Sequence, residues 1–241
     1  MIEFSLFTDE GSRENNEDSV GMYQDGEAFC FMLADGLGGH GMGEVASQLA
    51  IETAVGRFAQ GGRGASFLQE AFEAAQESIA ARQQEDRHCR DMKTTLVVLD
   101  IETDRIRWGH IGDSRLYYFV KGKLKERTLD HSVPQMLVSA GELKEKEIRH
   151  HPDRNRLLRV LGTDQEEVNY QESQWIDRSG RQAFLLCSDG FWELIEEKKM
   201  ESALKKASTP EAWIQAMREI VCKNGRGTNM DNYSAVAVWI D

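Results

Sequence analysis

Apolar and alternating runs along the chain predict a series of β-strands. A strand that is buried on one face alternates apolar and polar residues, whereas a strand that is buried on both faces is apolar throughout. Seven segments fit one of these patterns and are spread over the whole sequence: Glu3–Thr8, Ala28–Ala34, Thr94–Leu99, Arg105–Ile111, Arg115–Val120, Ala183–Cys187 and Tyr233–Ile240.

Three helical patterns separate these strands. Met42–Phe58 follows a glycine-rich stretch, and Thr209–Lys223 begins with a good capping residue and has Pro210 at its first helical position. Ser66–Arg82 has an apolar face with i, i+3, i+4 spacing, formed by Leu68, Ala71, Phe72, Ala75 and Ile79. Ser132–Gly162 is rich in Lys, Arg and His and is predicted to be a mostly exposed helical insertion. Because strands and helices do not strictly alternate, the pattern favours an α+β fold with largely antiparallel sheets.

Length and charge narrow the classes of function. The chain has 241 residues and no repeat or low-complexity linker, so residues 1–241 are predicted to form a single domain. Its 41 acidic residues outnumber 29 basic ones and give a formal net charge of −12, which disfavours a nucleic-acid partner and suits a site that collects cations. The sequence shows no basic and apolar leader and no apolar run near 18 residues, which predicts a cytoplasmic protein without a membrane segment.

The four cysteines are Cys30, Cys89, Cys187 and Cys222, and none belongs to a C-x-x-C pair. Cys30 and Cys187 lie inside apolar runs, so the cysteines are interpreted as structural thiols in a reducing compartment. A catalytic cysteine is the alternative.

Five glycines fall within eight residues directly after Asp35, and they include a G-x-G-x-x-G spacing at Gly36, Gly38 and Gly41. This spacing raises a dinucleotide-binding alternative. The charge of Asp35 would lie close to a pyrophosphate, and the next strong strand begins only near Thr94, which is too late for a βαβ unit. The glycines therefore indicate a backbone that must approach something closely.

Carboxylates recur at the ends of predicted strands, beside Gly or Asn. A single aspartate at such a place is ordinarily a turn former, but several gathered at one edge would repel one another and would need cations between them. Clusters rich in oxygen and poor in sulfur suit Mg²⁺ and Mn²⁺. The stretches that carry these carboxylates are Arg13–Ser19, Leu33–Gly39, Gly109–Arg115, Leu185–Glu193 and Asn229–Ile240.

These stretches belong to an ordered series of motifs: "RxxNxED", "ADGLGGHGMGEVAS", "TTLVVL", "HIGDSR", "DHS", "HHPDRNRLLRVLG", "LLCSDG" and "DNYSAVAV". The series resembles the metal-dependent type 2C (PPM) serine/threonine protein phosphatases, in particular their stand-alone bacterial members. It runs from Arg13 to Val238 and so covers nearly the whole chain. The resemblance implies two packed antiparallel β-sheets flanked by helices, an αββα sandwich with metals at one edge.

The resemblance also assigns roles around two Mn²⁺ or Mg²⁺ ions. Asp35 is implied as the carboxylate that bridges both ions, and Gly36 as the donor of a backbone carbonyl. Asp189 and Asp231 are implied as the remaining ligands of one ion. Glu17 and Asp18 are implied as the acids that serve the other ion, mostly through water; a role for Asp18 as a hydrogen-bond acceptor behind the ligands stays open.

Further roles lie around the two ions. Asp113 resembles a ligand of a weaker third ion, with a turn cap as its alternative, and Arg13 resembles the arginine that grips the substrate phosphate. Animal members often have a histidine directly after the Asp-Gly pair, where this chain has Leu37. His40 is the candidate general acid, with a loop histidine or a metal-bound water as alternatives. The region of about 134–164 corresponds to the flap beside the site.

The implied reaction is hydrolysis of phosphoserine and phosphothreonine in proteins. A water between the two ions attacks phosphorus directly, without a phosphoenzyme. The implied partners are phosphorylated proteins, among them a cognate Ser/Thr kinase and its targets, and the chain is expected to be a monomer. A catalytically inactive binding module is the alternative from another class.

Overall fold

The computed structural model describes residues 1–38, 42–61, 64–164 and 167–241. Its strands are β1 Ile2–Asp9, β2 Asp18–Asp25, β3 Ala28–Leu37, β4 Lys93–Thr94, β5 Leu96–Ile101, β6 Arg105–Ile111, β7 Arg115–Val120, β8 Lys123–Arg127, β9 Gln171–Glu172, β10 Ile176–Asp177, β11 Gln182–Cys187 and β12 Tyr233–Ile240. One sheet has the order β1-β12-β11-β7-β8, and the other has the order β10-β6-β5-β3-β2, with β4 paired to β3 and β9 to β6.

The helices are α1 Gly43–Ala59, α2 Phe67–Glu85, α3 Val133–Ser139, α4 Asp189–Trp192, α5 Glu197–Lys206 and α6 Pro210–Asn224, with short 3₁₀ helices at Arg87–Cys89 and Glu145–His150. Helix α6 begins as the sequence predicts. Pro210 occupies its first turn, and the Thr209 hydroxyl accepts a hydrogen bond from the Ala212 N–H at 3.1 Å.

Three apolar cores hold four layers together. Phe31 and Leu33 of β3 face the core between the two sheets, together with Phe184 of β11. The alternate residues of β3, Cys30 and Met32, pack against α1 and α2 on the outer side. A third core joins the other sheet to α4, α5 and α6. Both faces of the central strands are covered, which explains their continuous apolar runs. The predicted αββα sandwich is therefore confirmed.

The sheet registers bring several chain segments to one end of the sandwich. Asp18 at the start of β2 lies opposite Asp35 near the end of β3. In the other sheet Cys187 at the end of β11 lies opposite Ala235 near the start of β12 and Arg115 at the start of β7. Because β6 and β7 belong to different sheets, residues 112–114 cross from one sheet to the other at this end.

Some predictions needed correction. Strand β3 continues to Leu37, so Asp35 lies inside the strand and not after it. Ser132–Gly162 is helical only in α3 and in the 3₁₀ helix Glu145–His150, so the prediction of a helical insertion is wrong. Most of its residues are exposed or partly exposed, as predicted, although Ile148 and Leu161 are buried. Strand pairs in the described ranges are antiparallel, so the parallel βαβ unit of the dinucleotide alternative is not found there.

The cysteines are free thiols. Cys30, Cys89 and Cys187 are buried, and Cys222 is partly exposed. Burial raises the pKa of the Cys30 and Cys187 thiols, which disfavours the thiolate that a nucleophile needs. Across the described residues, no helix has the length and apolar character needed to cross a membrane.

Candidate metal centre

Asp18 and Asp35 form the first carboxylate pair of the site. They face each other across β2 and β3. Asp18 is 6% exposed; its Oδ2 accepts a hydrogen bond from the Ser188 hydroxyl at 2.7 Å, and its buried Oδ1 has no partner among the residues that the structure describes. The Ser188 oxygen in turn accepts a hydrogen bond from the Ser234 N–H at 2.9 Å, which ties β2 to the other sheet. One oxygen of Asp18 is thus fixed, and the other is left for a further ligand.

The main chain of Asp35 is held by two threonines. Its N–H donates to Thr95 Oγ1, and its carbonyl accepts from the Thr95 N–H and the Thr94 hydroxyl, each at 2.9 Å. Thr95 Oγ1 also lies 2.8 Å from Ser114 Oγ. The threonines of the "TTLVVL" motif therefore connect Asp35 to the turn that carries Asp113.

Gly36 and Gly43 let two backbones meet. A Cβ at Gly36 would lie 2.1 Å from the Gly43 carbonyl oxygen and 2.7 Å from that of Glu17. The Gly36 N–H donates to the Glu17 carbonyl at 3.0 Å. The start of α1 thereby approaches β3 and Glu17 more closely than any side chain would allow. The close approach expected of the glycines is met here by protein backbone.

Asp113 lies in a tight turn. The residue before it, Gly112, is held between Thr95 and His131. Gly112 has φ +101°, and a Cβ there would meet Thr95 at 2.5 Å. Its N–H donates to His131 Nδ1 at 3.2 Å, and its carbonyl accepts from the His131 N–H at 2.9 Å. His131 of the "DHS" motif therefore orients the turn.

Asp189 and Asp231 lie beside the same end of two neighbouring antiparallel strands. Asp189 is the first residue of α4, two residues after the end of β11, and Asp231 lies two residues before β12. The Asp231 Oδ2 accepts a hydrogen bond from Arg13 Nη2 at 2.8 Å, and both side chains are partly exposed. Asn232 accepts from the Glu17 N–H at 2.9 Å, which links Asp231 to the β1–β2 loop.

The carboxylates raise one another's pKa. Burial first, and then the charges of Asp18, Asp189, Asp113 and Asp231, raise the pKa of Asp35 well above its usual value. Asp189 is affected in the same way by burial, then by Asp113. Burial raises the pKa of Asp18 to about 6 despite the hydrogen bond from Ser188, and it raises the pKa of Asp113 to about 7. These acids lie close enough to repel one another electrostatically, and added positive charge would reduce this repulsion.

The donor set fits hard cations. The side chains are carboxylates, and an unpartnered buried oxygen of Asp18 lies among them. As the side chains are oriented, no group of three or more His, Cys, Asp and Glu residues within the described ranges meets the geometry of an occupied metal site. The backbone elements that carry these side chains already converge.

A cleft of about 420 Å³ opens beside Asp189 and Asp231. Arg13, Arg149 and Arg154 also line the cleft, together with Glu193. Two of these arginines come from the predicted flap, and Arg154 is paired with Glu193 at 3.0 Å. An anionic group in this cleft would thus meet arginines beside two of the candidate ion ligands. The remaining candidate, His40, lies outside the described residues.

Sequence reasoning did not find the polar residues that support this site. Thr95, Ser114, Ser188 and Asn232 hold the backbones that carry the acids. The only available signal was their position next to the acids, since single Ser, Thr and Asn residues have no distinctive spacing.

Comparison with known proteins identifies the family. The model of the family described as protein phosphatase 2C matches residues 9–230. The chain belongs to this family. It is 34% identical over 241 residues to the serine/threonine protein phosphatase PstP of Mycobacterium tuberculosis. The alignment covers 98% of this chain and 44% of PstP. It is 31% identical over 218 residues to the serine/threonine phosphatase stp of Listeria monocytogenes, covering 84% of this chain and 82% of that protein.

A solved protein phosphatase 2C structure has the same fold. The crystal structure of the catalytic domain of PstP in complex with two manganese ions superposes with a TM-score of 0.83 at 29% identity, over 100% of this chain and 99% of that one. The chain spans less than half the length of full PstP, at 44%. The predicted family is therefore confirmed. The two manganese ions are a property of the PstP structure.

Proposed function

We propose that this chain is a metal-dependent serine/threonine protein phosphatase that hydrolyses phosphoserine and phosphothreonine in proteins. The observation that carries the proposal is the convergence of aspartates from separate segments at one end of the sandwich, beside an arginine-lined cleft. The family match and a relative that binds two manganese ions support it. The same proposal makes residues 1–241 one phosphatase domain.

The proposed ion-binding residues divide into three groups. Asp35 would hold both of two Mn²⁺ or Mg²⁺ ions, with help from the Gly36 carbonyl. Asp189 and Asp231 would hold one ion, Glu17 and Asp18 would serve the other, and Asp113 would hold a weaker third ion. When bound, the ions supply a nucleophile from water and neutralise charge on the phosphoryl group.

The chain's own residues position the substrate. Arg13, which extends from the β1–β2 loop, has a planar fork of donors that fits two phosphate oxygens. Its present partner is Asp231, so phosphate and Asp231 compete for the same guanidinium. His40 is proposed as the proton donor to the leaving serine or threonine oxygen, with water as the alternative. No side chain needs to form a covalent intermediate.

The wider setting belongs to the same proposal. The free thiols suit a cytoplasmic protein. A cognate Ser/Thr kinase and its targets are the proposed partners, and the chain is proposed to act as a monomer.

The test is phosphate release from a phosphothreonine peptide with Mn²⁺ and with EDTA. Asp35→Asn should lower kcat by a factor on the order of 10³ or more and should weaken Mn²⁺ binding in calorimetry, because it removes the charge between the ions. Asp177→Asn on the exposed strand β10 is the matched control and should behave as the parent does. Full turnover of the parent in EDTA would overturn the proposal.

A further inference from the structure

The turn that carries Asp113 is held at Gly112 by His131 and, one residue later, at Asp113 itself by a second group. The indole Nε1 of Trp192 donates to the Asp113 carbonyl at 3.0 Å, and this contact is buried. Trp192 is 2% exposed and lies at the end of α4, the helix that Asp189 begins. One tryptophan therefore belongs to the helix of one candidate ligand and holds the backbone of another.

A buried arginine lies on the ring of this tryptophan. The Arg115 guanidinium carbon is 3.4 Å from the Trp192 ring centroid. Arg115 is also paired with Asp130 through two hydrogen bonds of 2.7 Å, and both side chains are 1% exposed. Asp130 directly precedes His131, which clamps Gly112. Asp130, His131, the Asp113 turn, Trp192 and Arg115 thus form a closed circuit of contacts.

The flap joins this circuit through Arg149. Its Nε donates to the Trp192 carbonyl at 3.1 Å, and its guanidinium carbon lies 5.6 Å from the Trp192 ring centroid. Its Nη2 donates to the Ile195 carbonyl at 3.2 Å and to Glu197 Oε1 at 2.7 Å. Arg149 also lines the cleft beside Asp189. The flap is therefore attached to the residue that holds the Asp113 turn.

From these contacts we infer that Trp192 is a positioning residue, which couples the flap to the Asp113 turn through its indole N–H and its contacts with Arg115 and Arg149. The inference rests on the proposed function, since it gives Asp113 a place at the metal site. Displacement of Arg149 changes the packing on Trp192 and loosens the Asp113 carbonyl. Occupancy at Asp113 and the flap position then depend on each other.

The chain supplies a matched control. Trp213 is also fully buried, and its Nε1 donates to a backbone carbonyl, that of Met200, at 3.1 Å. Trp192→Phe and Trp213→Phe therefore remove the same chemical contact from the same helical layer. Only the Trp192 contact reaches the turn that carries Asp113. A loss of packing alone would affect both variants equally.

Hydrogen exchange and Mn²⁺ titration of the full chain test the coupling. In Trp192→Phe, exchange in residues 110–116 and 145–150 should be faster by about tenfold, the effect of losing one buried hydrogen bond. The Mn²⁺ concentration for half-maximal phosphopeptide hydrolysis should rise by a similar factor. Trp213→Phe should stay within about twofold of the parent in both measurements.

A second variant keeps the test decisive if Trp192→Phe does not fold. Arg149→Met keeps the side-chain length but has no donors, and it does not contact Asp113. Faster exchange in residues 110–116 of this variant supports coupling, and a change confined to 145–150 overturns it. Equal effects of the two tryptophan variants also overturn it. A parent without Mn²⁺-dependent turnover would refute the proposed function and leave the exchange measurement as the test of coupling.

Discussion

Gly36→Ala would test how closely the metal site depends on contact between two backbones. The added Cβ would lie 2.1 Å from the Gly43 carbonyl oxygen and 2.3 Å from its carbon. Both are main-chain atoms, so no side-chain rotation relieves the contact. To reach an ordinary separation of at least about 3.4 Å, the end of β3 and the start of α1 must move apart by about 1.3 Å.

The expected loss of stability in Gly36→Ala can be worked out from the cost of overpacking two main-chain segments. Inserted methyl groups typically cost about 1–3 kcal/mol, and a purely main-chain clash falls at the upper end of this range. For a chain of this size, about 3 kcal/mol lowers Tm by about 6–12 °C. The same displacement moves Asp35 and Glu17, so Mn²⁺ affinity should fall by at least about tenfold.

The assay pairs thermal unfolding in EDTA with Mn²⁺ calorimetry. Gly56→Ala is the control, because, apart from the helix's own backbone, no atom of the described residues lies within 4 Å of a Cβ at that position in α1. That change should raise stability by about 0.4–1 kcal/mol and leave metal binding unaltered. If Gly36→Ala kept the parent's Mn²⁺ affinity and Tm, the close approach would have no part in forming the site.

Two further predictions concern charge. Arg13→Ala should raise KM for a phosphopeptide by a factor that corresponds to roughly 2–3 kcal/mol and should leave Mn²⁺ binding nearly intact; an unchanged KM would exclude a phosphate contact. Metal-free stability should depend on pH, because the raised pKa values of Asp18, about 6, and Asp113, about 7, mean that the folded chain holds these protons more tightly than the unfolded one. The contribution of these two groups to the free energy of unfolding is fully present below about pH 4 and is lost as pH rises through 6 to 7. Mn²⁺ affinity should rise over the same range, because binding displaces the protons. Calorimetry that finds the same Mn²⁺ affinity at about pH 5 and pH 8 would contradict the argument.

Apolar runs predicted the strands that are buried on both faces, and the resemblance to the phosphatase family implied their packing as a sandwich. Strand β2 was missed because Asp18–Asp25 mixes polar residues with a glycine and has no apolar run. The reason lies in packing, since a Cβ at Gly21 would be 2.4 Å from Ile51 of α1. Strand β8, Lys123–Arg127, was missed because it is a charged strand at the sheet edge. Neither reason can be seen in the periodicity of the sequence.

The acids of the site were predictable one at a time, but their arrangement was not. Each lies near a strand end beside Gly or Asn, which is a local signal. That Asp18 lies opposite Asp35 depends on sheet register, and that Ser188 reaches Asp18 depends on the packing of one sheet on the other. The support from Trp192 is less visible still, because its indole N–H contacts a residue 79 positions away.

The polar contacts around the candidate metal centre fix its backbones more than its charges. Thr95 and His131 hold main-chain atoms beside Asp35 and Asp113, but Asp18 keeps one buried oxygen without a partner. A fold that only needed stability would pair these carboxylates or replace them, because unpaired buried acids oppose folding. Cations remove that cost and, in the proposed reaction, also supply its chemistry. Stability and catalysis should therefore depend on the same ions, so metal removal should lower Tm and turnover together.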